Sequence, residues 1–199
     1  MARATNYNRD AALDAAMAVF WRKGYHATSL KDLEAALNMK PGSIYAAFES
    51  KENLYLLAID RYYEASRKGF YEQMATATTP LTGLAAQFQN YAGLAQGDPS
   101  RQACMLMKTV LDTASTDPKI AAASQHYLDQ MCAGFAECFK AALAVGELPH
   151  DADPMRLARR YQANVSALRV ELQRGTPRDD ILKLAADMAQ ETLDLGVSR

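Results

Sequence analysis

A short segment near the amino terminus, residues 28–51, carries the signals of two brief helices joined by a tight turn. Thr28 or Ser29 can cap the first helix, and Asp32 stands where a capping carboxylate is expected. Leucines at helical spacing give that helix one apolar face. Pro41 suits the first turn of a second helix, where a missing N–H costs nothing. The segment is therefore predicted to be a helix-turn-helix.

The second helix of this pair is predicted to turn an unusual surface outward. Its two large apolar residues, Ile44 and Phe48, stand at positions that point inward. The residues left outside are small or carry a single hydroxyl, namely Gly42, Ser43, Tyr45 and Ala46. Such a face packs poorly, but it suits the major groove of DNA, which is about 12 Å wide and admits a helix.

This segment resembles the N-terminal DNA-binding domain of the TetR family of bacterial transcriptional regulators. The matching residues are 10–23, Gly24-Tyr25, Thr28-Ser29-Leu30, 40–45 and 48–54. The specific part of the resemblance is the spacing of Tyr45, Phe48, Lys51 and Leu54 close to an amino terminus. It covers roughly the first quarter of the chain, and the remainder matches the family only in helix pattern and length.

The candidate DNA contacts come from the helix-turn-helix and from this resemblance, in which the lysine matching Lys51 commonly touches the DNA backbone. They are Thr28, Ser29, Lys40, Pro41, Gly42, Ser43, Tyr45, Ala46 and Lys51. Each has a structural alternative, such as a helix cap for Thr28, rim packing for Tyr45 or a solvated charge for the lysines. Ala46 and Ala47 stand where family members often carry larger residues. Side-chain reading of bases is therefore expected to be sparse, with DNA shape contributing specificity.

Composition and charge exclude several classes of protein. The 199 residues are 49% hydrophobic, which is enough for one or two domains with a real core. No apolar run approaches the length of a membrane span, and the first residues do not read as a signal peptide. Three cysteines without a CxxC pair fit a reducing cytoplasm. The net charge is −1, but residues 1–51 hold seven Lys/Arg against five Asp/Glu, as phosphate contact at that end requires.

Capping residues and prolines at predicted helix starts indicate an all-α fold of about nine helices. Five helix starts are marked by a capping residue followed by proline: Thr79-Pro80, Asp98-Pro99, Asp117-Pro118, Asp153-Pro154 and Thr176-Pro177. A first helix is predicted over residues 6–24, and the helices after the helix-turn-helix near 51–76, 80–96, 99–114, 118–145, 154–174 and 177–196. Residues 1–50 are predicted to form the DNA-binding domain, and residues 51–199 a helical domain for effector binding and dimerisation.

The body of the chain is rich in methionine and aromatic residues. Most are expected to be core, yet methionine tolerates irregular packing and permits a cavity. The family resemblance implies an effector pocket among the helices of residues 51–145. The candidate pocket residues are Tyr62, Phe88, Tyr91, Met105, Met107, Tyr127, Met131 and Phe135.

Cys104 is the one thiol with a sequence argument for reactivity. It is predicted to lie inside the helix begun at Asp98-Pro99, with Lys108 one turn later, and a nearby cation favours the reactive thiolate. The alternative is a buried cysteine that packs as a small hydrophobe. The three histidines are scattered, and the sequence shows no metal-ligand spacing, cofactor motif or nucleophile motif. We therefore expect no metal, no cofactor and no enzymatic activity.

The last two predicted helices carry more apolar surface than one core face needs, which suggests a partner subunit. A first set of apolar positions was assigned to a homodimer interface: Leu157, Tyr161, Leu168, Leu172, Ile181, Leu184, Ala185 and Met188. A second set extends each helix sideways: Ala163, Ala167, Val170, Leu182, Ala186, Ala189 and Leu193.

These features favour a one-component transcriptional regulator, most simply a repressor. It is expected to bind a palindromic, double-stranded operator as a homodimer and to be released by a small-molecule effector. Two alternatives remain open. One is an all-helical enzyme with an accidental N-terminal resemblance, which converging titratable residues in a pocket would favour. The other is a DNA-bound scaffold without an effector, which a tightly filled body would favour.

Overall fold

The computed structural model describes residues 8–94 and 103–197, and within these ranges it contains only helices. The nine helices are α1 (Arg9–Lys23), α2 (Leu30–Leu37), α3 (Pro41–Phe48), α4 (Lys51–Met74), α5 (Pro80–Gly93), α6 (Met105–Thr113), α7 (Pro118–Ala144), α8 (Pro154–Gln173) and α9 (Arg178–Leu193). The predicted all-α class is confirmed. No described helix is long and apolar enough to cross a membrane.

The predicted starts of α5, α7 and α8 are correct, but two of the predicted side-chain caps do not form. Asp117 occupies the N-cap position of α7, and its side chain makes no capping hydrogen bond. The side chains of Thr79 and Asp153 accept hydrogen bonds from backbone N–H groups of the first turns of α5 and α8. Thr176, in contrast, does not cap α9. Pro177 occupies the N-cap position, and the Thr176 hydroxyl donates instead to a carboxylate oxygen of Glu171 at 2.7 Å. The hydroxyl thus bonds to the end of α8, five residues earlier, and not to the start of α9.

The helices bury two apolar clusters. The first joins α1, α2 and α3 to the first half of α4, to α6 and to the beginning of α7, with Phe20, Leu33, Phe48 and Tyr55 almost fully buried. The second joins the end of α4 to α5, the rest of α7, α8 and α9. Because α4 contributes to both, it connects the helix-turn-helix to the rest of the body as one continuous element. The division at residues 50 and 51 stays a prediction.

A buried arginine links four elements of the body. Arg169 of α8 donates from Nη1 to the Tyr62 hydroxyl of α4 at 2.9 Å and from Nη2 to the Ala103 carbonyl at 3.2 Å. Its guanidinium also lies 5.4 Å from the ring centroid of Tyr91 in α5. Such a hydrogen-bonded network specifies how the helices pack, because leaving any member unsatisfied in the core is costly.

Candidate nucleic-acid interface

The N-terminus of α2, the first helix of the helix-turn-helix, is capped by a reciprocal capping box. The Ser29 hydroxyl accepts from the Asp32 backbone N–H at 3.2 Å, and the Asp32 carboxylate accepts from the Ser29 N–H at 2.8 Å. Lys23 adds an ion pair to the same carboxylate at 2.6 Å. The Lys23 hydrogen bond, followed by those from Ser29, holds the pKa of Asp32 well below its ordinary value. The carboxylate therefore stays ionised and keeps the end of α1 against the start of α2.

The turn between α2 and α3 is set by one residue in the left-handed region. Asn38 ends α2 with φ 51° and ψ 43°, a conformation that asparagine tolerates better than most residues. Pro41 then begins α3, and Lys40 occupies its N-cap position. Ile44 and Phe48 are 2% and 1% exposed. The inward face of α3 is therefore the predicted one.

The outward face of α3 is also as predicted. Gly42, Ser43, Tyr45 and Ala46 are all exposed, and the Tyr45 side chain is the largest among them, at 45% exposure. No other atom lies within 4 Å of where a Gly42 Cβ would stand, so nothing in the protein obstructs the start of the helix. The result is a short, low-relief surface with one hydroxyl and one phenol, of a shape that the major groove admits.

The flanking candidates divide into exposed and buried residues. Ser29 and Lys40 are exposed and Pro41 is half-buried, so all three can approach a phosphate. Thr28 is 1% exposed, and its hydroxyl donates to the Gly24 carbonyl at 2.6 Å. The predicted contact from Thr28 is therefore wrong. The hydroxyl serves the turn between α1 and α2 instead.

Lys51 occupies the first position of α4, where its charge opposes the helix dipole. Its ammonium lies 4.6 Å from the centroid of the Tyr25 ring. Partial burial lowers the pKa of Lys51, while the charge of Asp117 opposes that change. The Tyr25 ring thus holds the Lys51 ammonium just after the end of α3. This is close to where the sequence predicts a contact between Lys51 and the DNA backbone.

Sequence reasoning missed the strained connection between α3 and α4. Glu49 has φ 66° and ψ −55°, and the Ser50 N–H donates to the Phe48 carbonyl at 2.7 Å across it. This γ-turn is uncommon for a residue with a side chain and is strained. It turns the chain sharply enough for α4 to begin two residues after α3 ends. No local sequence signal marks it, because glycine is the residue expected there.

Four polar contacts, among others, join α1, the loop after it or the start of α4 to the helices that follow. Arg61 of α4 binds the Asp14 carboxylate of α1 through two nitrogens, at 2.6 and 2.9 Å. The Lys108 ammonium of α6 donates to the Trp21 carbonyl at 2.8 Å. The other two contacts are His26 to Asp117 at 3.1 Å and Lys119 to Glu52 at 2.6 Å. The first two contacts join α1 to both α4 and α6, so a shift of either helix displaces α1, which packs in the same cluster as the helix-turn-helix.

Two cavities formed by described residues contain predicted pocket residues. The first, of about 230 Å³, lies between α4 and α7 and ends at Tyr91 of α5. The second, of about 360 Å³, lies between α1, α4 and α6. Of the predicted pocket residues, Tyr91, Met131 and Phe135 line the first cavity and Met105 lines the second.

The other predicted pocket residues have structural roles. Phe88 is fully buried in the body core, and Tyr62 is held by Arg169. Met107 is half-buried against the first cluster. Tyr127 stacks on Tyr63 with centroids 4.7 Å apart and donates to an Asp60 carboxylate oxygen at 2.7 Å. These four positions are core or packing residues that line neither cavity.

Cys104 is placed differently from the prediction. The predicted start at Asp98-Pro99 lies outside the described residues, and α6 begins at Met105 with Cys104 as its N-cap residue. Lys108, expected to activate the thiol, donates instead to the Trp21 carbonyl. Cys104 itself is 9% exposed. The lysine argument for a sensor is therefore wrong, and a role for this thiol stays a prediction.

The residues assigned to a dimer interface are mostly in the protomer's own core. Leu157, Tyr161, Leu168, Leu172, Ile181 and Ala185 are between 0% and 7% exposed, and Leu184 and Met188 are half-buried against the same core. A buried side chain cannot contact a second copy, so the assignment of the six buried residues is wrong. Apart from Met155 near the start of α8, the apolar residues that α8 and α9 expose belong to the second set: Ala163, Ala167, Val170, Ala186 and Leu193.

Within the described residues, no three His, Cys, Asp or Glu side chains come close enough together to hold a metal ion.

Two family models match the chain. One, described as bacterial regulatory proteins of the tetR family, matches residues 12–58. The other, described as the C-terminal domain of tetracyclin-repressor-like proteins, matches residues 80–176.

Similar proteins span nearly the whole chain. A putative TetR transcriptional regulator from Rhodococcus sp. RHA1 is 34% identical, with 91% of this chain and 97% of that one covered and a TM-score of 0.61. The HTH-type transcriptional repressor ComR of Escherichia coli is 28% identical over 90% of this chain and 86% of ComR. A cysteine mutant of the regulator CifR, complexed with 26-bp double-strand operator DNA, is 26% identical with a TM-score of 0.84 and covers 95% of this chain and 98% of CifR.

Proposed function

The chain belongs to the TetR family of bacterial transcriptional regulators, and we propose that it is a repressor that binds a palindromic operator as a homodimer and leaves it when a small molecule fills the body. That it is a DNA-binding transcriptional regulator follows from the family, whose members are generally non-enzymatic. We further propose two-fold pairing, a palindromic operator, a small-molecule effector and residence in the bacterial cytoplasm, where the operator lies.

The observation that supports DNA recognition most directly is the outward face of α3. The four outward positions, 42, 43, 45 and 46, carry no large apolar side chain other than the exposed Tyr45, while Ile44 and Phe48 anchor the helix on its buried side. Lys40 is the N-cap residue of α3 and Lys51 begins α4, so a cation stands near each end of α3, the recognition helix. Phosphate contacts at both ends fix the register of a helix in the groove, and the small residues let it approach the bases.

Dimerisation is supported by the second apolar set of α8 and α9. Val170 is 48% exposed and Leu193 is 38% exposed, with Ala163, Ala167 and Ala186 also exposed. Pairing two copies through these faces forms a four-helix interface that removes apolar surface from water. The same pairing places the two recognition helices about 34–36 Å apart, the distance between successive major grooves on one side of the DNA. One short helix alone reads too few base pairs for specific binding.

Ligand control is supported by the cavities and by the contacts of α1. A cavity between α4 and α7 makes an effector-free scaffold the weaker alternative, since that alternative requires a filled body. An effector that moves α4 should also move α1, because Arg61 of α4 forms two hydrogen bonds to the Asp14 carboxylate of α1. Ligand binding then favours a pose in which the two heads no longer fit neighbouring grooves.

The proposal is tested by selecting bound sequences from random duplex DNA and measuring affinity for the recovered site by fluorescence anisotropy. We expect a palindrome. Lys40→Ala should weaken binding and lower the slope of log affinity against log salt by about one unit, since one phosphate contact is lost. Lys68→Ala is the control, because Lys68 is exposed on α4 outside the helix-turn-helix. Equal affinity and equal salt dependence for Lys40→Ala and wild type would show that Lys40 makes no phosphate contact.

A further inference from the structure

The cavity between α4 and α7 is walled by aromatic rings in fixed positions. Phe70 of α4 and Phe135 of α7 meet edge to face, with centroids 5.2 Å apart. Phe135 is in turn held by Tyr161 at 4.9 Å, and Tyr63 is held by its stacking on Tyr127. Rings fixed in this way offer both edges and faces to a third ring, which is the geometry that aromatic groups prefer.

A single glycine lets a side chain of α4 approach α7 at the edge of this cavity. At Gly134 of α7, a Cβ would stand 3.1 Å from the Tyr71 hydroxyl oxygen of α4, closer than nearly all real contacts of that kind. Tyr71 is 44% exposed and lines the cavity together with Gly134, so contact between its phenol and α7 bounds the cavity on this side. The ring edges and faces of the lining suit a flat molecule.

The charges at the cavity are already matched by neighbours. Arg67 pairs with Glu64 at 3.2 Å, and Glu137 pairs with Lys140 at 2.7 Å, each one turn away on its own helix. All four side chains are at least half exposed, so the paired charges stand at the rim. The more buried lining offers neutral hydrogen-bonding groups, namely the phenols of Tyr63 and Tyr91 and the Ser66 hydroxyl, and the amide of the exposed Gln130 adds another. Burying an ion without a buried counter-charge is expensive, whereas a neutral polar group needs only one hydrogen-bond partner.

From this arrangement we infer that the cavity takes a neutral, planar aromatic molecule of one or two rings that carries a hydrogen-bonding substituent, with Gly134 and Tyr71 setting its width. The inference rests on the proposed ligand control, since it names the class of effector for that same body. Burial raises the pKa of both Tyr63 and Tyr91, so their phenols stay protonated near neutral pH and can donate to the substituent.

The experiment compares three probes of equal ring size: 2-naphthol, 2-naphthoate and the protonated form of 2-naphthylmethylamine. Binding to the full chain is measured by calorimetry and by the rise in melting temperature, which follows mass action. We expect 2-naphthol to bind at least about tenfold more tightly than either ion, since no residue that lines the cavity offers a buried side chain of opposite charge. Tighter binding of the carboxylate or of the ammonium would overturn the neutral class, and no binding of any probe would overturn the aromatic class.

Two variants locate the binding. Gly134→Ala adds the methyl group that meets Tyr71 and should weaken 2-naphthol about tenfold or more, the usual cost of one misfitting carbon. Gly69→Ala is its matched control, because no other atom lies within 4 Å of a Cβ there. If Gly134→Ala does not fold, Tyr71→Leu replaces it at a position that is 44% exposed, and it should also weaken binding. Unchanged affinity in the folded variant would place the probe elsewhere and overturn the inference.

The same titration on the operator complex separates this inference from the proposed function. Binding of 2-naphthol that leaves the protein on its operator would uphold the ligand class and refute ligand control. Failure of every probe, together with normal operator binding, would refute the ligand class and leave DNA recognition intact.

Discussion

Ala185 and Ala186 are neighbours in α9, yet the structure predicts opposite consequences for the same substitution. Ala185 is 0% exposed and lies in the body core, where α9 packs against α5. Ala186 is exposed on the apolar set proposed to meet a second copy. Ala185→Glu should therefore prevent folding, whereas Ala186→Glu should give a folded monomer.

The magnitudes follow from burial. A glutamate at Ala185 overfills a packed site, at about 1–3 kcal/mol, and buries an unpaired carboxylate, at several kcal/mol more. Their sum approaches the whole stability of a typical domain, about 5–15 kcal/mol. At Ala186 the folded protomer should lose no more than about 0.5 kcal/mol, as at other exposed sites. In the dimer, however, two carboxylates would be buried near the two-fold axis, and a cost of about 4 kcal/mol raises the dissociation constant roughly a thousandfold.

The assay combines circular dichroism, sedimentation and anisotropy with the selected operator. Ala65→Glu is the matched control, since Ala65 is exposed on α4 and outside the proposed interface. We expect Ala186→Glu to keep its helical signal, sediment near the protomer mass of 21.9 kDa and lose operator binding. A folded Ala185→Glu would refute the assignment of this face to the core. A dimeric Ala186→Glu with wild-type operator affinity would refute the proposed interface, as would a wild-type protein that sediments only as a protomer.

Three further outcomes are expected. Glu49→Gly should raise the free energy of unfolding by about 1 kcal/mol in urea titrations, because glycine relieves the strained φ of 66° at some cost in chain entropy, and a loss of stability would refute the strain. Asp32→Asn should lower the melting temperature at neutral pH, because folding depresses the pKa of Asp32. The stabilisation by this carboxylate is present above its ordinary pKa of about 4 and disappears as the pH falls through the lower folded value. A difference in melting temperature between variant and wild type that does not shrink on acidification would contradict this. The buried Cys104 thiol should react with iodoacetamide far more slowly in the folded protein than in urea, and only a peroxide that releases wild type but not Cys104→Ser from the operator would support a sensor.

The helix-turn-helix was predictable because its signals are local. A capping box spans four residues, proline presets one dihedral angle, and a two-turn helix with Ile44 and Phe48 on one side has only one face to bury. The exposure of Gly42, Ser43 and Tyr45 follows from that spacing without knowledge of any distant residue. Helix starts at Thr79 and Asp153 were predictable for the same reason.

The errors at Cys104 and at the dimer interface arose where partners are far apart along the chain. The Lys108 ammonium reaches the Trp21 carbonyl, 87 residues away, instead of Cys104 one turn before it. In α8 and α9 the sequence shows two apolar faces on each helix, and hydrophobic spacing alone cannot say which face meets α5 and α7.

The tertiary structure made that choice, and with it placed Leu168 and Ala185 in the core and Val170 and Ala186 on the surface. The cavity beside Gly134 is of the same kind, since it exists only where α7 crosses the aromatic face of α4. Local residue patterns determine where helices form and which faces are apolar. Which apolar face is buried, and where space remains between helices, depends on contacts that form only when all the helices pack together.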